Sequence, residues 1–323
     1  MAFKLKGPNT LGIVCVLLAV MFFSASDMLI KWLGGTYPLH EIIFVRAFVA
    51  LCIIAGLFVP LEGGYRNLLT KRMPLHILRG CSVIIANMAF FTGVASLPIA
   101  DATAIFFVAP LFITALSVPF LGEKVGFRRW AAVSVGLMGV IIIIRPGTDA
   151  FKWAALAPIL AALAYATMQI TARRLGVTEK ASVMAFYIQL TFLCFCTLAG
   201  LTVGDGRLAE GLEDPSLLAL LRAWRMPSTD DLLVMLGVGA LSACGAYLIS
   251  QGYRSVEATI AAPFEYIAMP MAVMWGVVVF GELPDKVAIG GILLIVASGL
   301  YSFWRENIRG TPVSAKAQII KGR

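Results

Sequence analysis

Glu265 is the side chain whose type and surroundings most clearly point to chemistry in this sequence. It stands in the apolar run 257–280 and is flanked by Pro263 and Pro270. Proline removes a backbone hydrogen bond, so the two prolines are expected to open carbonyl groups beside it. An acid in an apolar run is costly unless it faces a cavity or a partner. Glu265 is therefore predicted to contact a solute or take up a proton. A buried, protonated acid bonded to a neighbouring helix is the alternative.

Two pairs of polar residues stand near the ends of other apolar runs. Asp27 and Lys31 are four residues apart in the first run, and Gln169 and Arg173 have the same spacing in a later one. This spacing places both members of each pair on one helix face. We interpret the pairs as gates at opposite ends of their helices. A local salt bridge, or a lysine that reaches the membrane surface, is the plainer alternative.

Arg46 and a few uncharged polar side chains complete the candidates. Arg46 lies about 9 Å along its run, at a rise of ~1.5 Å per residue. It is predicted to pair with Asp27 or Glu41, and binding of an anion is the alternative. Four amide and hydroxyl side chains could line a cavity or tie helices together: Asn87, Gln251, Tyr247 and Tyr266.

Membrane helices must position these side chains. Of the 323 residues, 60% are hydrophobic and 14% charged, and the mean hydropathy is +0.89; soluble globular chains are far less apolar. A helix crosses the hydrocarbon core with about 20 apolar residues. Ten stretches fit that length: 11–30, 40–59, 77–97, 101–119, 127–144, 152–172, 183–203, 232–252, 257–280 and 286–304.

The basic residues predict the orientation of these spans. When the N-terminus is placed in the cytoplasm, most of the 26 basic residues fall on the inner side, Arg79 and Arg173 among them. Both termini are then cytoplasmic. The net charge of +8 follows from this topology, so nucleic acid is not expected as a partner. The loop 204–231 falls outside, where Asp214 and Pro215 predict a capped short helix that lies on the membrane surface. A simple connector is the alternative.

The two halves of the chain resemble each other. Pro110 and Glu123 bracket one run ending in Gly-Glu, and Pro270 and Glu282 bracket another. Because each half holds five predicted spans, the second half enters the membrane in the opposite sense. This predicts two inverted five-helix repeats, 1–150 and 151–304, with a cytoplasmic tail at 305–323. Such repeats can rock around a site between them. The two glutamates are expected to cap or bridge backbone.

Ordered motifs give the chain a resemblance to the EamA family of the drug/metabolite transporter superfamily. They are EIIFVRAF around Arg46, LPIADATAIFFVAPLF, FLGEKVGFRRWAAVSVGLMGVIIIIRPG, APFEYIAMP and VFGELPD. The resemblance implies an all-α protein of ten transmembrane helices in a bacterial inner membrane. It also implies a central cavity and transport of amino acids, cofactor-like metabolites or other small organic solutes.

Other functional classes fit the sequence less well. There is no GxxxxGK[ST] loop for ATP, and His40 and His76 lack the HExxH spacing of a zinc enzyme. We therefore expect no enzyme activity, cofactor or metal. The expected function is secondary-active transport coupled to protons or to solute exchange, with export favoured. The alternatives are uptake of a nutrient or cofactor, such as a vitamin or nucleoside-type metabolite, and a gated channel.

Overall fold

The computed structural model describes residues 8–122, 127–144, 152–256 and 261–309, and all regular structure within these ranges is helical. Thirteen α-helices are numbered in chain order: α1 Pro8–Leu33, α2 Leu39–Ile53, α3 Val59–Leu61, α4 Met73–Ser96, α5 Ile99–Phe106, α6 Ala109–Leu121, α7 Phe127–Ile144, α8 Leu156–Leu175, α9 Ala181–Val203, α10 Pro215–Leu221, α11 Thr229–Ser255, α12 Ala268–Phe280 and α13 Lys286–Arg309. A π-helical turn, Ile54–Phe58, joins α2 to α3.

Seven helical segments among the described residues are long and apolar enough to cross a membrane: Leu11–Leu33, Leu39–Leu61, Met73–Ser96, Ile99–Leu121, Trp153–Leu175, Ala181–Val203 and Thr229–Ser255. Each coincides with a predicted span to within a few residues. Shorter apolar helices occupy the other three predicted positions: Ser134–Ile144, Phe264–Phe280 and Lys286–Ser298. Large apolar side chains such as Leu201 and Phe127 stay exposed on this bundle, as expected of a surface that faces lipid.

Hydrogen bonds show which helix ends lie together. Lys31 Nζ donates to Glu282 at 2.7 Å, and Tyr37 donates to Asp231 at 2.7 Å. These contacts bring the end of α1 to the end of α12 and the start of α11. We call this side of the bundle the Lys31 end.

The opposite side is held by a second polar group and is called the Glu62 end. The Glu62 carboxylate accepts from the backbone N–H of Ser182 at 2.9 Å and from its hydroxyl at 2.6 Å. Thr70 donates to Glu179 at 2.6 Å. The loop between α3 and α4 therefore packs on the start of α9.

The two segments that share the proline-to-glutamate spacing are both interrupted. The helix from Ile99 to Leu121 breaks at Phe107 and Val108, and a 3₁₀ turn, Ala262–Ile267, precedes α12. Both helices end on glycines in the left-handed region, Gly122 at φ 69° and Gly281 at φ 65°, which suits a residue without Cβ. Glu123 lies outside the described residues.

The long loop carries the predicted capped helix. The Asp214 carboxylate accepts from the backbone N–H groups of Ser216 and Leu217 at 2.8 and 3.1 Å, which fixes the start of α10. Its position on the membrane surface stays a prediction. The Ser216 hydroxyl donates to the Thr92 carbonyl at 2.8 Å, so α10 packs on the end of α4.

Small residues allow α1 and α11 to approach closely. A Cβ added at Gly252 would lie 2.4 Å from Val16 Cγ2 and 3.2 Å from the carbonyl oxygen of Gly12. Close packing of this kind holds membrane helices together, because burial from lipid supplies little driving force.

We predict that Gly252→Leu lowers the free energy of unfolding by about 1–3 kcal/mol, since the added side chain overpacks the contact between α1 and α11. Gly237→Leu is the matched control on the same helix, because a Cβ at Gly237 meets nothing within 4 Å. Unfolding of both purified variants in detergent measures the difference. Equal stability of the two variants would contradict the close contact.

Candidate functional site

A cavity of about 170 Å³ lies in the middle of the bundle, between α1, α2, α4, α5, α8, α9, α11 and α12. By volume it holds roughly ten water molecules. Ten residues of the wall are polar, and they include both acidic and basic side chains: Ser24, Asp27, Arg46, Asn87, Thr103, Tyr165, Gln189, Ser242, Glu265 and Trp275. The remaining wall is apolar and includes six phenylalanines: Phe23, Phe90, Phe91, Phe106, Phe107 and Phe192.

Glu265 lies in this wall, where the sequence placed a solute-contacting or proton-accepting group. It sits on the 3₁₀ turn and is buried, with 5% of its surface exposed. The Tyr253 hydroxyl donates to its carboxylate at 2.5 Å, and the side chains of Tyr165 and Gln169 also interact with it. The acid thus faces the cavity and is bonded to a neighbouring helix, so both predicted features coexist.

Arg46 also lines the cavity, but its partner differs from the predicted one. Nη2 donates to Asn87 Oδ1 at 3.0 Å, and the guanidinium lies 4.8 Å from the ring centroid of Phe192. No carboxylate of the described residues lies within 4 Å of the guanidinium, so the expected direct ion pair with Asp27 or Glu41 is not formed. Asp27 lies in the same cavity wall and interacts with Arg46 electrostatically from a longer distance. The amide oxygen of Asn87 takes the position of the expected carboxylate.

Lys31 bonds across the bundle and not along its own helix. Its ammonium lies 2.7 Å from Glu282 Oε2 and 4.6 Å from the ring centroid of Phe280. The same carboxylate oxygen accepts from the Ile99 N–H at 3.1 Å, so Glu282 bridges backbone as expected. The local pair with Asp27 is wrong, because Asp27 belongs to the cavity wall.

Gln169 and Arg173, the second predicted gate pair, also have different surroundings. Gln169 is fully buried, and its amide nitrogen donates to the Tyr165 hydroxyl at 2.6 Å, just behind the cavity wall. Arg173 lies farther along the helix, where Nη1 donates to the carbonyl of Arg254 at 3.2 Å. That contact joins α8 to α11 at the Glu62 end.

Three of the predicted cavity residues lie outside the wall. The Tyr247 hydroxyl donates to Glu62 Oε1 at 3.1 Å at the Glu62 end, and Tyr266 stacks on Phe107 with ring centroids 5.2 Å apart. Gln251 does not line the cavity. Tyr247 and Tyr266 thus tie helices together, which was the alternative interpretation of such groups in a bundle.

Sequence reasoning missed several wall residues. Tyr165, Gln189 and Trp275 stand in apolar runs without a neighbouring charge to mark them. The spacing of four between Tyr165 and the already selected Gln169 was the one available signal. Trp275 Nε1 donates to the Ser24 hydroxyl at 3.1 Å, which fixes the orientation of its ring.

Two buried polar atoms of wall residues have no hydrogen-bond partner in the described part of the chain. They are the Gln189 amide oxygen and the Arg46 Nε. Both atoms are enclosed by protein atoms in this conformation, so water or a solute can satisfy them once the surrounding side chains move. A carboxylate, a guanidinium, an amide and aromatic rings can together hold a polar organic molecule. The described residues contain no His/Cys/Asp/Glu group that could hold a metal.

Comparison with known proteins defines the class. The model of the EamA-like transporter family matches residues 10–145 and 151–304. The chain therefore belongs to this family of multi-pass membrane transporters.

Individual relatives differ in the solute they carry. The S-adenosylmethionine uptake transporter of Rickettsia bellii is 27% identical over 92% of this chain and 95% of its own. The riboflavin transporter of Vibrio cholerae is 27% identical over 84% and 85%. The pseudopaline exporter CntI of Pseudomonas aeruginosa is 25% identical over 88% and 94%.

A crystal structure shares the fold at 15% identity, with a TM-score of 0.67 over 93% of this chain and 99% of the other.

Glu265→Gln is predicted to reduce transport by about tenfold or more while leaving the protein folded. The amide oxygen can still accept from Tyr253, but the amide has no negative charge and no titratable proton. Glu210→Gln, on an exposed loop residue, is the matched control. Initial flux rates and monodispersity in detergent are compared for both variants. Wild-type flux with unchanged pH dependence in Glu265→Gln would remove Glu265 from the site.

Proposed function

We propose that this protein is a secondary-active transporter that moves a small organic metabolite across the cytoplasmic membrane by alternating access. The observation that carries the proposal is the central cavity, whose wall joins Asp27, Arg46 and Glu265 with two unpartnered polar atoms. Ionisable groups are expensive inside a membrane and mark solute or ion pathways. Membership of a transporter family supports the same conclusion.

Ten membrane spans in two inverted repeats, 1–150 and 151–304, form part of this proposal. The paired segments run in opposite directions: Ile99 begins one at the Lys31 end, and Glu282 follows the other at the same end. Both contain a break and finish on a left-handed glycine. A pseudo-two-fold relation of this kind supports rocking around a central site.

Two polar clusters are suited to close the cavity alternately. The ion pair of Lys31 with Glu282 joins α1 to the segment after α12 at one end. At the other end, Glu62 joins α3 to α9 through Ser182 and to α11 through Tyr247. Both clusters lie near the ends of the helices, where exchange with water limits the cost of breaking them.

The chemistry of the cavity favours a solute that combines a charged or zwitterionic group with a flat ring. Asp27 and Glu265 suit a cationic group, Arg46 suits an anionic one, and the phenylalanines suit a ring face. Relatives named for S-adenosylmethionine and riboflavin are consistent with a solute of aromatic character.

The names of relatives bear on the direction of transport, and the basic residues bear on the orientation in the membrane. The relatives' names include both uptake and export, so export stays a prediction from the sequence. By the positive-inside rule, the Glu62 end and both termini are placed in the cytoplasm of a bacterial cell. Coupling to protons through Glu265, or to exchange of a second solute, belongs to the same proposal.

The test is flux into and out of proteoliposomes containing the purified protein. The panel is labelled amino acids, S-adenosylmethionine, riboflavin and nucleosides, each with and without a proton gradient. We expect saturable flux and counterflow for at least one compound, because a carrier cycles through a single site. Protein-free liposomes are the control. Flux without saturation or counterflow would favour a channel, and no flux for any compound would contradict the proposal.

A further inference from the structure

Arg79 is the most deeply buried charged side chain of the described residues, with 1% of its surface exposed. Nη1 donates to the Met184 carbonyl at 2.8 Å, and Nη2 donates to the Ser250 hydroxyl at 3.1 Å. Nε has no partner in the described part of the chain, and no carboxylate there lies within 4 Å of the guanidinium. A cation buried against neutral acceptors alone is expensive, so it is expected to meet an anion in another state.

The position of Arg79 on α4 relates it to the cavity. Val83 and Asn87 both line the cavity, and they follow Arg79 at intervals of four residues. Residues at this spacing share a helix face. Arg79 therefore lies one turn beyond Val83 on the cavity face, toward the Glu62 end.

The partners of Arg79 continue the cavity faces of two other helices. Met184 lies one turn before Ile188 on α9, and Ser250 lies one turn after Ala246 on α11, and both Ile188 and Ala246 line the cavity. The guanidinium thus bridges α4, α9 and α11 directly beneath the cavity. We call this group of Arg79, Met184 and Ser250 the cavity floor.

We propose that Arg79 seals the cavity toward the Glu62 end in this conformation and becomes an anion-binding residue of the solute pathway when the cavity floor opens. This rests on the proposed function, and it adds a negatively charged group as a requirement on the solute. Opening the floor breaks two hydrogen bonds to neutral acceptors. A carboxylate, sulfonate or phosphate can replace them with stronger hydrogen bonds between opposite charges, and the planar guanidinium can hold such a group through two parallel donors.

The test uses thiol reagents, so its outcome does not depend on knowing the solute. Ala246→Cys, in a Cys244→Ala background, places a thiol in the cavity wall just above the floor. Membrane-impermeant methanethiosulfonates, one anionic sulfonatoethyl and one cationic trimethylammonioethyl, are added to vesicles from the side of the Glu62 end. A separate variant, Arg174→Cys, carries an exposed thiol at the Glu62 end, and its modification shows which side of the vesicle that end faces. Mass spectrometry of the peptide measures the modified fraction at position 246.

Arg79→Gln is expected to speed modification by both reagents by about tenfold, because the floor loses its charge-assisted bonds. It should also lower the ratio of anionic to cationic rates by about threefold, because the attracting charge is gone. Arg79→Lys should open the floor and keep the anionic preference. Arg174→Gln, an exposed arginine at the same end, should change neither rate.

Ser250→Ala provides a second test if Arg79→Gln does not fold. It removes one hydrogen bond of the cavity floor and retains the positive charge of Arg79. It should raise both rates with the ratio unchanged. Parent-like rates in the folded Arg79 and Ser250 variants would overturn the seal, and an unchanged rate ratio in Arg79→Gln would overturn the anion site. Transport is measured separately by the flux assay, so saturable flux of the unmodified protein would still support the proposed function in either case.

Discussion

Lipid offers no hydrogen bond to a charge, so each ionisable group inside this bundle has to be satisfied by the protein or by what the protein binds. Arg46 bonds to Asn87 of another helix, Glu265 accepts from Tyr253, and Lys31 reaches Glu282 across 251 positions of sequence. Apolar packing in a bilayer is nearly indifferent to which helices are neighbours. Polar bonds of this kind therefore do much to select the arrangement of helices.

The same constraint accounts for the cavity. Where polar side chains find partners, helices are joined, as they are at the Lys31 end and the Glu62 end. Near the centre, Asp27, Arg46 and Glu265 lie in the cavity wall, and among the described residues Arg46 Nε and Gln189 Oε1 have no hydrogen-bond partner. A central cavity that holds acidic, basic and amide side chains between two hydrogen-bonded ends suits a site that binds a polar solute. The bonds at the Lys31 end and at the Glu62 end can then break in turn, while the cavity stays between them.

The sequence predicted the positions of the helices more reliably than the hydrogen-bond partners of the polar side chains. Long apolar runs predict spans well because length and hydropathy are local properties, and the proline-flanked Glu265 was found in the cavity wall for the same reason. The bonds of Lys31 to Glu282 and of Arg46 to Asn87 join different segments of the chain, so spacing within one helix could not predict them. Arg79 was counted with the basic residues of the inner side because it stands near a helix start. Only the packing of α9 and α11 reveals that it is buried.

The central claim is that the two ends open alternately around one cavity. The most direct measurement is the distance distribution between spin labels, recorded by pulsed electron resonance in lipid nanodiscs. One label pair, Thr36→Cys with Leu283→Cys, lies at the Lys31 end, and another, Leu69→Cys with Val177→Cys, lies at the Glu62 end; all four positions are exposed. When Lys31→Gln removes the ion pair, distances at the Lys31 end should lengthen and those at the Glu62 end shorten. Distances that change at neither end, or in the same direction at both, would contradict the account.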